Sequence, residues 1–235
     1  MLIKELHTYL FDGQPHTLST PMETWLSSSR RFAVFITTFR DKIRKKIRVT
    51  KDPETLLDMR LELETAYLLL QEKSLSPAYE PPCGQGRCPD FAVSFTTSMT
   101  FMVEVTRLRT IQIGAVSPES DPLTDAICSK LGQLIPQQSN VLIVGVDVMY
   151  LTPTDLQATM LRLQQRAERN DSTFWQRYRF RDRTDFFRHF QRLSEVLVRA
   201  SRLEDDLQTI AWTNPQAKYP LPGKVRTALY HSHKV

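Results

Sequence analysis

The spacing of apolar positions separates helical from extended parts of the chain. Leu123, Ile127 and Leu134 recur at the 4-3-4 spacing of one helix face, with Lys130 in the gap of that stripe. Residues 141–146 form instead an unbroken apolar run, Val-Leu-Ile-Val-Gly-Val. A run without polar alternation is typical of a strand buried on both faces.

Two further segments are rich in aromatic and β-branched residues and predict a β-hairpin. Residues 91–95 and residues 100–105 have this composition, and the short polar segment 96–98 joins them. We therefore expect two neighbouring antiparallel strands at this point.

Helix starts share one chemistry, a capping side chain followed by proline at the first helical position. The cap oxygen accepts a bond from a free N–H of the first turn, and proline loses nothing there because it has no N–H. The four pairs are Thr20-Pro21, Asp52-Pro53, Asp121-Pro122 and Thr152-Pro153. The predicted helices cover residues 21–47, 53–72, 122–135, 153–169 and 183–207.

The order of helix, hairpin, helix and buried strand predicts an α/β fold. A helix between two strands of one sheet is a crossover, so parallel pairing is expected within a mixed sheet. We predict a basic helical extension over residues 1–51, an α/β core over 52–150, and a helical subdomain with a tail over 151–235.

Net charge adds a weak preference for polyanionic partners. The 235-residue chain carries a formal charge of +5, and its 7 glycines include no glycine-rich phosphate loop. Arg40, Arg44 and Arg48 share one helical face. A second basic segment alternates arginine with aromatic or acidic residues, which on an extended chain would align four guanidinium groups at 177, 179, 181 and 183. Each basic patch is either a binding surface for a nucleic-acid phosphate backbone or an ordinary solvated face.

Cysteine usage and hydropathy lead us to expect a cytoplasmic protein. Cys83, Cys88 and Cys128 are an odd number, which does not resemble a disulfide framework, and we interpret Cys83 and Cys88 as loop thiols. No apolar stretch approaches the ~20 residues that span a bilayer, so no membrane partner is expected. The first residues lack the pattern of a signal peptide.

A pair of carboxylates gives the hairpin its candidate chemistry. Asp90 opens the first strand after Pro89, and Glu104 lies near the end of the second. In an antiparallel hairpin these positions are neighbours. Burying two like charges together requires a proton or a cation, and Mg²⁺ suits paired carboxylates that also meet a phosphate.

Pro89-Asp90, the hairpin and Glu104-Val105-Thr106 together resemble the PD-(D/E)XK nuclease superfamily, with threonine in place of the motif lysine. The resemblance covers residues 52–147 and includes the order of elements. It implies a restriction-endonuclease-like core and a Mg²⁺- or Mn²⁺-dependent nuclease that acts on DNA or RNA, with DNA as the preferred partner. It also implies that Asp90, Glu104 and the backbone carbonyl of Val105 bind the metal.

Members of this family often add a glutamate from the preceding helix, and this chain offers Glu62 and Glu64. We favour Glu62 slightly, because it stands one turn before the small Ala66, where the helix can approach the sheet. Ordinary surface charge remains the alternative for either residue.

The missing lysine leaves two functions open. Thr106 can hydrogen-bond a water but carries no charge, and Lys130 either reaches the acid cluster or extends to solvent. Asp90 could be only a turn residue, and Glu104 could face solvent on a half-exposed strand. The chain is thus predicted to be a metal-dependent nuclease, with an inactive nucleic-acid-binding or protein-interaction module of the same fold as the alternative. Oligomeric state is not predicted.

Overall fold

A computed structural model describes residues 3–82, 88–97, 99–108, 121–147, 151–200 and 208–234. These residues form an α/β fold around one mixed six-stranded sheet in the order β1-β2-β3-β4-β5-β6. Pairing is antiparallel from β1 to β3, parallel from β3 to β5, and antiparallel again between β5 and β6. The predicted mixed sheet with parallel pairing is confirmed.

The described strands are β1 (Leu75–Tyr79), β2 (Phe91–Phe95), β3 (Met99–Arg107), β4 (Asn140–Val146), β5 (Leu193–Ala200) and β6 (Thr209–Thr213). The described helices are α1 (Ile3–Phe11), α2 (Ser19–Ser28), α3 (Arg30–Val49), α4 (Pro53–Leu69), α5 (Pro122–Leu131), α6 (Pro153–Glu168), α7 (Ser172–Tyr178), α8 (Arg183–Phe190) and α9 (Gly223–His233).

Helices cover both faces of the sheet and divide the core in two. One apolar cluster contains residues of helices α1, α2, α3, α4 and α9 together with strand residues such as Val103 and Ile143. The other cluster contains residues of helices α5, α6, α7 and α8 together with strand residues such as Leu142 and Val144. Because side chains alternate along a strand, β4 contributes to both clusters, and all of its residues are buried.

Three of the four predicted proline-marked helix starts are confirmed. Asp52 accepts from the N–H of Thr55 at 2.9 Å, Asp121 caps α5, and Thr152 forms a capping box with Asp155. The start at Thr20 is wrong. Helix α2 begins earlier, at Ser19, without a side-chain cap, and the chain breaks again at Ser29, which caps α3.

The predicted helix over residues 183–207 is wrong from Gln191 to Ala200, and its last residues, 201–207, lie outside the described residues. Residues 193–200 form β5, which pairs with β4 and is buried along nearly its whole length. Helix α8 is only eight residues long, and the predicted single helix combines it with the strand β5 that follows. Strands β1 and β6 were also absent from the prediction.

The expected extended arginine segment is also wrong. Helix α7 ends at Tyr178, Arg179 adopts a left-handed conformation with φ of 60°, and Arg183 begins α8. On α3, Arg44 and Arg48 both bind the carboxylate of Asp12. Neither predicted patch is therefore a simple row of unpaired cations.

Two further expectations concern cysteines and membranes. Cys88 is disulfide-bonded, which corrects its interpretation as a loop thiol, whereas Cys128 is buried and free. Cys83 lies outside the described residues. Within the described part of the chain, no helix is long and apolar enough to cross a bilayer.

Gly145 controls how closely α4 approaches the sheet. A Cβ atom at this position would lie 2.5 Å from Cδ2 of Leu61, whose side chain is fully buried. We expect Gly145→Ala to lower the free energy of unfolding by about 1–3 kcal/mol, measured by urea denaturation, because the core must shift to admit the methyl group. Gly132→Ala is the matched control, since no heavy atom lies within 4 Å of its added Cβ. Equal effects at the two glycines would contradict this account.

Candidate active site

The β2–β3 hairpin brings Asp90 and Glu104 to one end of the sheet. Phe91, directly after Asp90, is paired with Val103, directly before Glu104. The Asp90 carboxylate accepts the backbone N–H of Val105 at 2.7 Å. The strand register therefore holds the two acids on neighbouring strands.

Glu104 is buried and forms an ion pair with Lys130 of α5. The Lys130 Nζ lies 3.1 Å from Oε2 of Glu104 and 3.4 Å from Oε1 of Gln133. With Glu104 only 3% exposed, its alternative reading as a solvent-facing strand residue is wrong. Lys130 reaches the acid cluster, as the sharper of the two hypotheses for this residue expects.

Glu62 supplies a third carboxylate from α4. Its Oε2 accepts from Lys46 Nζ at 2.6 Å and from the Tyr79 hydroxyl at 2.8 Å. Lys46 also lies 3.2 Å from Oε1 of Glu80. Lysine and tyrosine thus fix the Glu62 carboxylate from the side of α3 and β1.

Glu62, Asp90 and Lys130 share an open cavity of about 360 Å³. Its lining residues are Asp58, Leu61, Glu62, Asp90, Val105, Thr106, Arg107 and Lys130. Thr106, which follows Val105 on β3, is one of the residues that line this cavity. The space admits water and a phosphate-sized group beside the carboxylates.

Burial, and after it the neighbouring negative charge, raises the pKa of two of the acids. Burial and the nearby Glu104 carboxylate raise the pKa of Asp90 from 3.8 to about 6. Burial and Asp90 raise the pKa of Glu62 from 4.5 to about 7, against the opposing effect of Lys46. The ionised site is therefore electrostatically strained and would gain from a bound cation.

Arg107 closes one side of the cavity. Its side chain is 2% exposed and binds Asp58 at 3.2 Å and Asp147 at 3.4 Å, with Glu54 as a further partner. Strand β3 thus ends in an arginine that joins α4 to the end of β4. Because its guanidinium meets three carboxylates, Arg107 organises the rim of the cavity.

Glu64 lies apart from the cavity, on the opposite side of α4. It pairs with Arg199 of β5, and both side chains are fully buried. Burial raises the pKa of Glu64 and lowers that of Arg199. The buried His233 imidazole stands nearby, and burial together with Arg199 lowers its pKa to about 3.

Sequence reasoning missed three residues around the cavity: Lys46, Tyr79 and Arg107. Lys46 stands among the basic residues of α3, beside the predicted face of Arg40, Arg44 and Arg48, although it directly precedes the buried Ile47. Tyr79 belongs to β1, a strand that was not predicted. Arg107 is the last residue of β3, two residues after Val105, and no pattern around it in the sequence identifies it.

The donor set fits a hard divalent cation. Among the described residues, no group of three or more histidine, cysteine, aspartate or glutamate side chains is arranged as a complete metal site. Mg²⁺ requires less, since it is usually held by one or two carboxylates with water and phosphate oxygens as its remaining ligands. Asp90 and Glu104, two neighbouring carboxylates, meet that requirement; burial and then the charge of Glu104 raise the pKa of Asp90.

Comparison with known proteins returned no relative: no family model, no curated protein and no solved structure matches this chain. The chemistry of the site must therefore be argued from its own residues.

Proposed function

We propose that this protein is a Mg²⁺- or Mn²⁺-dependent nuclease that hydrolyses phosphodiester bonds in DNA or RNA, with DNA as the preferred substrate. The observation that carries the proposal is the single cavity at which Glu62, Asp90 and Lys130 meet, with Glu104 behind them. Carboxylates from a helix and two strands converge there beside a lysine, and two of them have raised pKa values. Such a combination is typical of a functional site.

The order of elements supports a restriction-endonuclease-like core. Helix α4, strands β2 and β3, helix α5 and strand β4 follow one another between residues 52 and 147, the stretch on which the resemblance to the PD-(D/E)XK superfamily rests. The proposed core also has β4 parallel to β3. A cytoplasmic location belongs to the same proposal, but the disulfide at Cys88 removes cysteine usage as an argument for it.

Asp90, Glu104 and the carbonyl of Val105 are the proposed metal ligands. When bound, Mg²⁺ would lower the pKa of an attacking water and stabilise charge on the phosphate. The Val105 N–H orients Asp90 for this role by donating a hydrogen bond to its Oδ2 atom. Asp90 is held in this way where it lines the cavity.

In this proposal, Lys130 and Thr106 together replace the motif lysine that is absent from this chain. Lys130 supplies positive charge at the cavity, where it would attract the scissile phosphate. The Thr106 hydroxyl, in the same cavity, can hold a water by hydrogen bonding. Lys46 keeps Glu62 in place and contributes a second cation behind it.

One observation favours the second candidate, a nuclease-fold protein that has lost its reaction. Lys130 forms an ion pair with Glu104, so an internal cation already neutralises part of the acid pair. With Thr106 in place of lysine, the site could persist as a structural ion-pair network in a nucleic-acid-binding or protein-interaction module.

Calorimetry followed by a cleavage assay on the same samples tests the proposal. We expect wild type to bind Mg²⁺ or Mn²⁺ and to cut a DNA substrate, whereas Asp90→Asn should lose both. Mutation of a residue that only hydrogen-bonds to a metal ligand typically weakens metal affinity roughly 10–100-fold. Because Asp90→Asn changes a proposed ligand itself, we expect a larger loss of affinity. Substrates of single- and double-stranded DNA and of RNA define the preference.

Two lysine variants distinguish the proposed nuclease from the alternative, an inactive binding module. Lys130→Met should retain metal binding but lose roughly 10²–10³-fold in cleavage rate, because it removes charge stabilisation. Lys45→Met, at an exposed position of α3, is the matched control and should be unchanged. Wild type that binds no metal at millimolar concentration would overturn the nuclease proposal and leave the binding module.

A further inference from the structure

A second and larger cavity lies far from the carboxylates in the fold. It has a volume of about 560 Å³ and is lined by Pro136, Gln137, Arg183, Thr184, Phe187, Arg188, Gln191, Arg192, Lys218 and Tyr219. This volume falls within the ~300–1,000 Å³ typical of small-molecule sites.

The lining is positively charged. It includes three arginines and Lys218, and none of its lining residues is an aspartate or glutamate. Asp185, which is buried, pairs with Arg188 but is not itself a lining residue. Burial lowers the pKa of Arg192, the neighbouring Arg188 lowers it further, and Asp185 opposes the shift. Arg188 and Arg192, which both line the cavity, thus repel each other. An anion would relieve this repulsion.

Aromatic rings stand beside the cations. The Arg183 guanidinium lies 5.8 Å from the centre of the Phe187 ring, and the Lys218 ammonium lies 5.9 Å from that of Tyr219. Rings that line a cavity offer faces on which a planar base can stack. The side-chain amides of Gln137 and Gln191 can donate to and accept from the edge of a base.

The chain holds these groups in a fixed arrangement. Lys218 is tied to α8 through its backbone N–H, which donates to the carbonyl of Gln191 at 2.8 Å. Arg192 donates to the carbonyl of Leu134 at 3.3 Å, which joins this region to the segment after α5. The cavity is therefore built from three separate parts of the chain.

This cavity and the carboxylate cavity lie at opposite ends of the sheet. Gln137 precedes β4, and Arg192 precedes β5, so the basic cavity lies where these strands begin. The carboxylate cavity lies where β3 ends, at Thr106 and Arg107. Strands β3, β4 and β5 run parallel, so a strand's beginning and end face opposite edges.

We propose that the basic cavity binds a nucleotide, with its phosphate among the arginines and Lys218 and its base against Phe187 or Tyr219. The nucleotide is either free or the phosphorylated end of a nucleic-acid strand. This proposal rests on the residues of the basic cavity alone and does not require the carboxylate site to be active.

Calorimetry on the full chain at low salt tests the proposal with AMP and adenosine. We expect AMP to bind and adenosine to bind at least about tenfold more weakly, because charge-assisted hydrogen bonds to phosphate are lost. The double variant Arg183→Gln/Lys218→Gln, at two exposed positions, should weaken AMP binding by a similar factor.

A charge-matched control removes general attraction as an explanation. Arg30→Gln/Lys45→Gln changes the net charge equally at exposed positions of α3 and should leave AMP affinity unchanged. Asp90→Asn should also leave it unchanged. Equal losses in the two double variants, loss in Asp90→Asn, or no binding of any phosphorylated probe at millimolar concentration would overturn the proposal.

Hexamers of deoxyadenosine identify the source of the nucleotide. Binding of AMP alone, or of AMP and the 5′-phosphorylated hexamer, indicates that a free nucleotide suffices. Binding of the phosphorylated hexamer alone indicates a strand end. Equal affinity for the phosphorylated and 5′-hydroxyl hexamers would contradict a terminal-phosphate site.

Discussion

Arg199→Met is expected to lower the free energy of unfolding by about 3–5 kcal/mol, because it leaves the Glu64 carboxylate buried without its cation. Both side chains are completely excluded from solvent and form an ion pair between α4 and β5. Burial already raises the pKa of Glu64 against the opposing effect of Arg199. Without the guanidinium, the carboxylate must either remain charged in an apolar interior or take up a proton.

The double variant Glu64→Met/Arg199→Met separates the loss of the pair from the loss of one partner. Replacing both charges with apolar side chains should recover most of the stability, since neither buried charge remains. Urea denaturation of the wild type, both single variants and the double variant gives the coupling energy.

An exposed ion pair provides the control for this prediction. Arg162 is 65% exposed and lies 3.6 Å from Asp121, so Arg162→Met should cost no more than about 1 kcal/mol. If Arg199→Met is no more destabilising than Arg162→Met, the buried pair does not stabilise the fold as argued.

Asp90→Asn is expected to stabilise the folded protein above pH 6, by about 1–3 kcal/mol relative to wild type. Its asparagine carbonyl can still accept the Val105 N–H, while the repulsion from Glu104 is removed. A residue that weakens the fold when charged is expected where function requires the charge.

The direction of the pH dependence follows from the raised pKa. The folded-state pKa of Asp90 is about 6, against 3.8 for the unsupported group. Between these values the unfolded chain releases a proton that the folded chain retains, so wild-type stability falls as the pH rises through this window. The advantage of Asp90→Asn should therefore be absent below pH ~4 and complete above pH ~6.

Thermal or urea unfolding from pH 4 to pH 8 measures this difference. Glu168→Gln, on the exposed end of α6, is the matched carboxylate-to-amide control and should show no comparable trend. A constant difference between Asp90→Asn and wild type across this range would contradict the raised pKa.

The structure also decides between choices that local pattern could not make. Glu62 and Glu64 are two positions apart on one helix, which turns them to different sides, and only the packing of α4 shows which side meets the cavity. The same packing brings Lys46 from a separate helix to Glu62. Apolar spacing identifies a buried helix face but not its partner.

By itself, the sequence determined the elements whose signals are local: β2, β3, β4, α6, the caps at Asp52, Asp121 and Thr152, and the neighbouring positions of Asp90 and Glu104. These depend on residues close together in the chain. Only the tertiary structure decided the assignment of β5 to the sheet, the Glu64–Arg199 pair and the cations that surround Glu62. Each of these depends on burial between segments distant in sequence, and such burial overrides local propensity because it removes more apolar surface from water than any cap or turn.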